Sequence, residues 1–315
     1  RRTQTINEKY LPAKVDISVF IRLGEAQHEI YHKIMGLVDQ LSSTPLVLIT
    51  ALKKLCNHLD LFRESLKDDS ADRSQRASIP KTIIPRGQAF AAGQLNSTVG
   101  SKMQFVSLML DQLRSNGDKD KLVIVSNYTQ TLEIIARLCE SKRVAYFQLD
   151  GSTPIKRRQE LVDRFNVPFP LGQEIVFLLS SKAGGVGLNL IGGNRLILFD
   201  ADWNPANDAQ AMGRVWRDGQ QKKVFIYRLL CTGTIEEKIY QRQVSKQGLS
   251  ANVVDMKEDS KQHFSSEELR ALFAFRPEAL CDTHDLLGCK CLEEKKASSA
   301  VVGEVPMRFR KVGVP

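Results

Sequence analysis

The residues best suited to chemistry lie between Asp208 and Gln220. Gln210, Arg214 and Arg217 are spaced i, i+4 and i+7, which on a helix sets them on one face. Two guanidinium groups aimed at one point suit a polyphosphate, because the planar fork pairs with phosphate oxygens and stays charged. A solvated basic helix face is the plainer reading. A second segment, Ser180 to Leu190, carries Gly184, Gly185 and Gly187 beside Ser181 and Lys182. Glycines there let backbone N–H groups approach an anion, and a following helix N-terminus adds its dipole. A tight turn without a ligand is the alternative. The Gly-x-Gly-x-x-Gly spacing of a dinucleotide site does not fit. A third group, Cys281, His284, Cys289 and Cys291, offers four soft or borderline ligands, the number that tetrahedral zinc needs. Its Cys-x-Cys pair is tighter than the usual knuckle, and a reduced tail competes with the metal reading.

Regular elements have to hold these residues. Short apolar runs predict strands at Leu122–Ser126, Val144–Leu149, Ile175–Leu179, Leu196–Phe199 and Val224–Leu229. An extended stretch precedes them at Val15–Ile21. Helical spacing marks Ile30, Ile34, Leu37 and Leu41, then the stretch around Ala51–Cys56. It returns at Met103, Val106, Leu110 and Leu113, and again at Leu132, Ile135 and Leu138. Thr153 before Pro154 and Asn204 before Pro205 read as N-caps with proline at the first helical position. Thr234 with Glu237 reads as a capping box. A short helix is expected over about Glu267 to Phe273. Strands alternating with helices predict an α/β fold with a parallel sheet covered on both faces.

The chain has 315 residues, 42% of them hydrophobic, with 45 Lys+Arg against 36 Asp+Glu and a net charge of +9. That excess favours a polyanionic partner. No run has the length and apolarity of a membrane span. Cys56, Cys139 and Cys231 lie in apolar stretches and read as reduced core residues. The chain starts at Arg1, which suggests a piece of a longer protein. Between Arg63 and about Gly100, Ser, Asp, Arg, Pro and Gly dominate, as in a long insertion.

The order of the motifs resembles the superfamily-two helicase motor. The Gln210–Arg217 segment is similar to its sixth motif, whose arginines act as fingers on the ATP γ-phosphate. Ser180–Leu190 looks like the fifth, which holds a DNA phosphate and communicates with ATP. Ser126–Gln130 resembles the fourth. Leu149–Ser152, with Lys156, Arg157, Arg158 and Phe165, resembles the segment after it, and Asp200–Pro205 the link before the arginines. Leu11-Pro12-Ala13-Lys14, Lys54–His58 and the Gly233–Lys238 brace identify the chain as a member of the Swi/Snf family. Ser126–Thr131, Val215–Gly219, His263–Ser265 and Asp282–Asp285 are similar to its recombinational-repair branch.

The resemblance implies a RecA-like lobe with an N-terminal helical subdomain and a small, zinc-binding C-terminal extension. The expected divisions are 1–62 for the lobe-linking and helical segment, 63–98 for a flexible insertion, 99–248 for the lobe with its brace, 249–292 for the extension and 293–315 for a tail. It implies catalytic roles for Arg214, Arg217 and Gln210, and ATP coupling through Gly185, Gly187 and Asp208. DNA contacts fall to Ser126, Asn127, Ser181, Lys182, Gly184 and Trp203. In the zinc set, Cys281 stands in for a family cysteine at the position of Asn252. ATP with magnesium is the implied cofactor. Implied partners are double-stranded DNA, a RecA-like recombinase, nucleosomes and the chain's own first motor lobe, in the nucleus. No Gly-x4-Gly-Lys-Ser/Thr loop or Asp-Glu box is present, so the nucleotide cradle is expected on that first lobe and this chain alone is expected to be inactive. A strand-separating helicase and a non-catalytic DNA- or recombinase-binding module remain alternatives.

Overall fold

A computed structural model describes residues 10–38, 45–67, 79–80, 83, 100–115, 120–168, 175–183, 187–252 and 266–287. Six strands form one parallel sheet. They are β1 (Lys14–Ile21), β2 (Leu122–Ser126), β3 (Ala145–Leu149), β4 (Ile175–Ser180), β5 (Arg195–Leu198) and β6 (Val224–Cys231), in the order β1-β6-β5-β2-β4-β3. Every strand anticipated from the apolar runs is present within a residue or two of its expected ends. The extended stretch near the start, placed with the linking segment from sequence, is an edge strand of this same sheet. β1 pairs with β6 along its whole length, from Lys14↔Val224 to Ile21↔Cys231.

Alternate residues of the central strands feed two cores, as a sheet covered on both faces requires. Leu122, Ile124, Leu178 and Ile197 pack under α4 (Ser101–Ser115) and α5 (Thr129–Ser141). Val123, Val125, Phe177 and Leu196 face α6 (Ile155–Asn166) and the end of α7 (Pro205–Met212). A third core joins α1 (Glu25–Met35), α2 (Pro45–Asn57) and α3 (Leu59–Lys67) to Ile235 and Ile239 of α8 (Ile235–Asn252). α3 runs five residues past the boundary expected at residue 62. Ile79 and Ile83, inside the expected insertion, are buried in this third core. The last elements are α9 (Ser266–Leu272) and α10 (Asp282–Leu286).

Two caps differ from their sequence patterns. Asn204 behaves as expected: its side chain accepts the Ala206 amide at 3.0 Å, and Pro205 opens α7. At α6 the N-cap is Pro154 itself, and the Thr153 hydroxyl instead accepts the Asp150 amide at 3.1 Å. At α8 the Thr234 hydroxyl accepts the Glu236 amide at 3.3 Å, but Glu237 does not reach back to Thr234. Its carboxylate accepts the Gly233 amide at 2.7 Å and the Thr283 amide at 2.7 Å, tying the turn to α10. Gly233 has φ +68, and the Arg276 carbonyl lies 2.1 Å from where a Cβ would stand. Only glycine fits that turn with the C-terminal segment lying against it.

Candidate functional site

In a parallel sheet the carboxyl ends of all strands share one edge, the usual place for ligands. The turns after β2, β4 and β5 meet there around Asp200. Its carboxylate accepts the Ser126 hydroxyl at 2.5 Å, the Asn127 amide N–H at 2.8 Å and Asn127 Nδ2 at 2.7 Å. Asn57 Nδ2 donates to it at 3.0 Å from the end of α2. Ser181 Oγ donates to Asn127 Oδ1 at 2.6 Å. Three residues expected to hold DNA therefore lie in one hydrogen-bonded cluster. Their exposure separates them: Ser126 is 1% exposed, while Asn127 and Ser181 are half-buried. Ser126 is thus an inner support in this conformation, its hydroxyl held by Asp200.

Behind Asp200 the cluster continues inward. Lys102 Nζ donates to Asn57 Oδ1 at 3.2 Å, to the Phe199 carbonyl at 2.8 Å and to Glu236 at 2.5 Å. Burial is the largest influence and opposes the charge on Lys102, but Glu236, with Cys231, Asp200 and Cys56, together outweighs it, and the ammonium's pKa is raised. Asn57, Lys102, Asp200 and Glu236 escaped the sequence reading as site residues. Lys102 precedes the apolar Met103 on α4, and nothing local marks it as buried.

The cationic rim lies on neighbouring loops. Lys182 is exposed after β4, and Lys156 and Arg157 are exposed on the first turn of α6. Arg158 joins the two loops: its Nε donates to the Thr153 carbonyl at 2.8 Å and its Nη1 to the Ala183 carbonyl at 3.0 Å. Asp150 accepts from the Ser152 hydroxyl at 2.5 Å, and that bond heads the causes that lower its pKa. Trp203, expected against DNA, packs partly buried on the helical-subdomain core. Gly184 and Gly185 lie outside the described residues. Gly187 is exposed with open space at its Cβ position.

The arginine segment departs from its expected form. α7 ends at Met212 with Gly213 as C-cap, so Gln210, Arg214 and Arg217 do not share one helical face. Gln210 is exposed on the helix, whereas Arg214 and Arg217 follow it in a run of turns. This folds the segment against the loop after β4: Leu190 N donates to the Arg214 carbonyl at 2.9 Å, and Arg217 Nη1 to the Gly187 carbonyl at 3.4 Å. Arg214 is buried, and burial lowers its guanidinium pKa. Trp216, between them, donates its indole N–H to the Pro12 carbonyl at 2.9 Å, and Lys14 Nζ lies 4.3 Å from its ring centroid.

Asp208, expected to couple to ATP, faces the interior. Its carboxylate accepts Arg228 Nη1 at 2.8 Å and Gln243 Nε2 at 2.9 Å, fastening α7 to β6 and α8. Burial raises its pKa, and Arg228 opposes that shift. Of the expected metal ligands, Cys281 is buried and caps α10. Its thiol donates to Glu237 at 3.5 Å and its sulfur accepts the His284 amide at 3.3 Å. Cys289 and Cys291 lie outside the described residues. Among the described residues Cys56, Cys231 and Glu236 also lie close together, but Lys102 already pairs with that carboxylate.

The model of the helicase conserved C-terminal domain matches residues 102–219. The chain is 48% identical over 312 residues to the human DNA repair and recombination protein RAD54B, which spans 94% of this chain and 34% of that protein. It is 46% identical over 297 residues to the DNA repair and recombination protein RAD54 of Saccharomyces cerevisiae, 92% of this chain and 32% of that one. The chain thus spans about a third of the length of these curated relatives. Among solved structures, the C-terminal part of the Fun30 ATPase domain matches with a TM-score of 0.60 at 25% identity, covering 84% of this chain and 96% of that one. The Sulfolobus solfataricus SWI2/SNF2 ATPase core in complex with dsDNA shares the fold, with a TM-score of 0.59 at 24% identity over 88% of this chain and 54% of that one.

Proposed function

We propose, for a chain that belongs to the Swi/Snf helicase-like family as its C-terminal RecA-like lobe, that it is the second motor lobe of an ATP-dependent translocase on double-stranded DNA, acting in homologous recombination and chromatin remodelling. The observation that carries this reading is the packing of the arginine segment on the loop after β4, through Arg217 to Gly187 and Leu190 to Arg214. One turn thereby touches both the candidate nucleotide side and the candidate DNA side.

ATP and its magnesium, held chiefly by a first lobe, supply the phosphoryl group and neutralise part of its charge. Arg214 and Arg217 contribute cations that stabilise charge on the transferring group. A desolvated guanidinium such as Arg214 interacts more strongly with an anion than one in water. Lys182, Lys156 and Arg157, all exposed, form the phosphate-facing rim, and Ser181, next to Lys182, is linked through Asn127 to Asp200. Such contacts follow the backbone and read no sequence. The chain alone, without the cradle, is inactive in this reading.

The test uses the complete two-lobe protein. Arg217→Ala is expected to lower DNA-stimulated ATP hydrolysis by about a thousandfold or more, with duplex affinity nearly unchanged; undiminished turnover would overturn the finger role. A strand-displacement assay separates translocation from strand separation. The relatives' printed names concern DNA repair and recombination, which supports a role beside DNA in recombination; a RecA-like recombinase and nucleosomes as partners, and the nucleus as location, are part of this proposal. Zinc at Cys281, His284, Cys289 and Cys291 rests on spacing, and binding there requires Cys281 to give up its bond to Glu237. Metal analysis finding well under one equivalent excludes it.

A further inference from the structure

We infer that Asp200 is a positioning residue which commits the donors of Ser126 and Asn127 inward and leaves the Ser181 hydroxyl as the exchangeable donor for a DNA phosphodiester. This rests on the DNA-contact reading above.

An ionised carboxylate only accepts hydrogen bonds. The Asn127 side-chain atom 2.7 Å from Asp200 Oδ1 must therefore be the amide nitrogen. That choice fixes the rest of the chain. Asn127 Oδ1 then faces Ser181 Oγ at 2.6 Å, so the hydroxyl between them must be the donor. Ser126 Oγ donates to the same carboxylate at 2.5 Å, and the Asn127 backbone N–H donates to it at 2.8 Å. With Asn57 Nδ2 at 3.0 Å, four donors converge on two oxygens.

These bonds differ in strength. The bonds from Ser126 and Asn127 end on a charge, and charge-assisted bonds are roughly twice as strong as neutral ones. The bond from Ser181 ends on a neutral amide oxygen. A phosphate oxygen is a charged acceptor and so accepts the Ser181 hydrogen bond in preference to Asn127, while the inner bonds stay intact. Lys182, next in sequence and exposed, supplies the charge that brings the phosphate to that hydroxyl. The Ser181 backbone N–H is tied to the Ser126 carbonyl at 2.9 Å, so the hydroxyl turns on a fixed backbone.

The experiment titrates duplex DNA against the complete two-lobe protein over a series of salt concentrations. It compares Ser181→Ala, Asp200→Asn, the double variant and Lys182→Ala, with thermal melting of each. Asn at position 200 keeps the shape but offers an NH2 as well as an oxygen. Asn127 is then free to flip, and Ser181 loses its fixed direction. Ser181→Ala and Asp200→Asn are each expected to weaken binding about tenfold, the worth of one hydrogen bond to a charged group. The double variant should be no weaker than the worse single, because both act through one chain of bonds. Lys182→Ala should reduce the salt slope by about 0.9.

If Lys182→Ala leaves the slope unchanged, the DNA-contact reading itself fails. If the slope falls but the two losses multiply, or if Asp200→Asn lowers only the melting temperature, the positioning role fails. Should Asp200→Asn not fold, Asn127→Ala takes its place in the cycle, with the same non-additivity required.

Discussion

Lys102 Nζ lies 2.5 Å from Glu236 Oε1, and both side chains are wholly buried. This pair joins α4 to the first turn of the brace helix α8, beneath the turn that carries Asp200. Pairs of this kind add little net stability, but removing one partner strands a buried charge at a cost of about 3–5 kcal/mol. Lys102→Met is therefore expected to lower unfolding free energy by about that amount. Lys102→Met with Glu236→Gln should recover part of the loss. Urea denaturation of the single and double variants checks this; equal stability of the single variant and the parent would sink it.

Asp208 gives a contrasting case. Its carboxylate is spent on Arg228 and Gln243, so Asp208→Ala should act through the fold. The expected loss is again about 3–5 kcal/mol, from a buried Arg228 without its carboxylate. Turnover per folded molecule should fall far less than for Arg217→Ala. Melting curves read beside ATP hydrolysis in the two-lobe protein separate the two effects.

Lys121 predicts a pH dependence at the opposite edge of the sheet. Its ammonium donates to the Phe165 carbonyl at 2.6 Å and the Val167 carbonyl at 2.5 Å, at the end of α6. Burial, with a smaller push from Lys222, brings its pKa down from 10.5 to about 8. Between those values the unfolded chain binds more protons than the folded one, so this group's contribution rises as pH climbs through that window. The neutral amine keeps two N–H donors, enough for both carbonyls. The melting temperature of the parent, measured against Lys121→Met from pH 7.5 to 10, should shift in the parent's favour. A flat or opposite trend would contradict the assignment.

Gly233→Ala tests the docking of the C-terminal segment. A Cβ there meets the Arg276 carbonyl at 2.1 Å, and φ of +68 is strained for alanine. The expected destabilisation is at least about 1–3 kcal/mol. Limited proteolysis should cut between α8 and α10 sooner than in the parent; unchanged protection would show that the segment docks without this turn.

Much of the fold was legible because burial on two faces leaves a local trace. Leu122 to Ser126 and Val224 to Leu229 are apolar runs, and both are strands. The arginine segment was misjudged although a signal was present: Gly213, a poor helix former, caps α7 before Arg214, in a right-handed conformation with φ −63. Helical spacing of functional residues was stronger on paper than the helix was in space. The sequence marked Ser126, Asn127 and Ser181 but not the inner half of the cluster, since Asn57 and Asp200 pair across 143 positions, and a pattern of neighbours holds no record of such a partner. The capping box at Thr234 located the helix start correctly but assigned the Glu237 carboxylate to the wrong amide.

Trp216 has its indole N–H on the Pro12 carbonyl, and β1 begins two residues later beside β6. The polypeptide thus reaches the sheet by way of the very turn that bears Arg214 and Arg217. The backbone ahead of Lys14 is thereby anchored twice, by the Trp216 indole on the Pro12 carbonyl and by the Val224 N–H on the Ala13 carbonyl at 3.0 Å, so residues 11–13 are clamped between the arginine turn and β6.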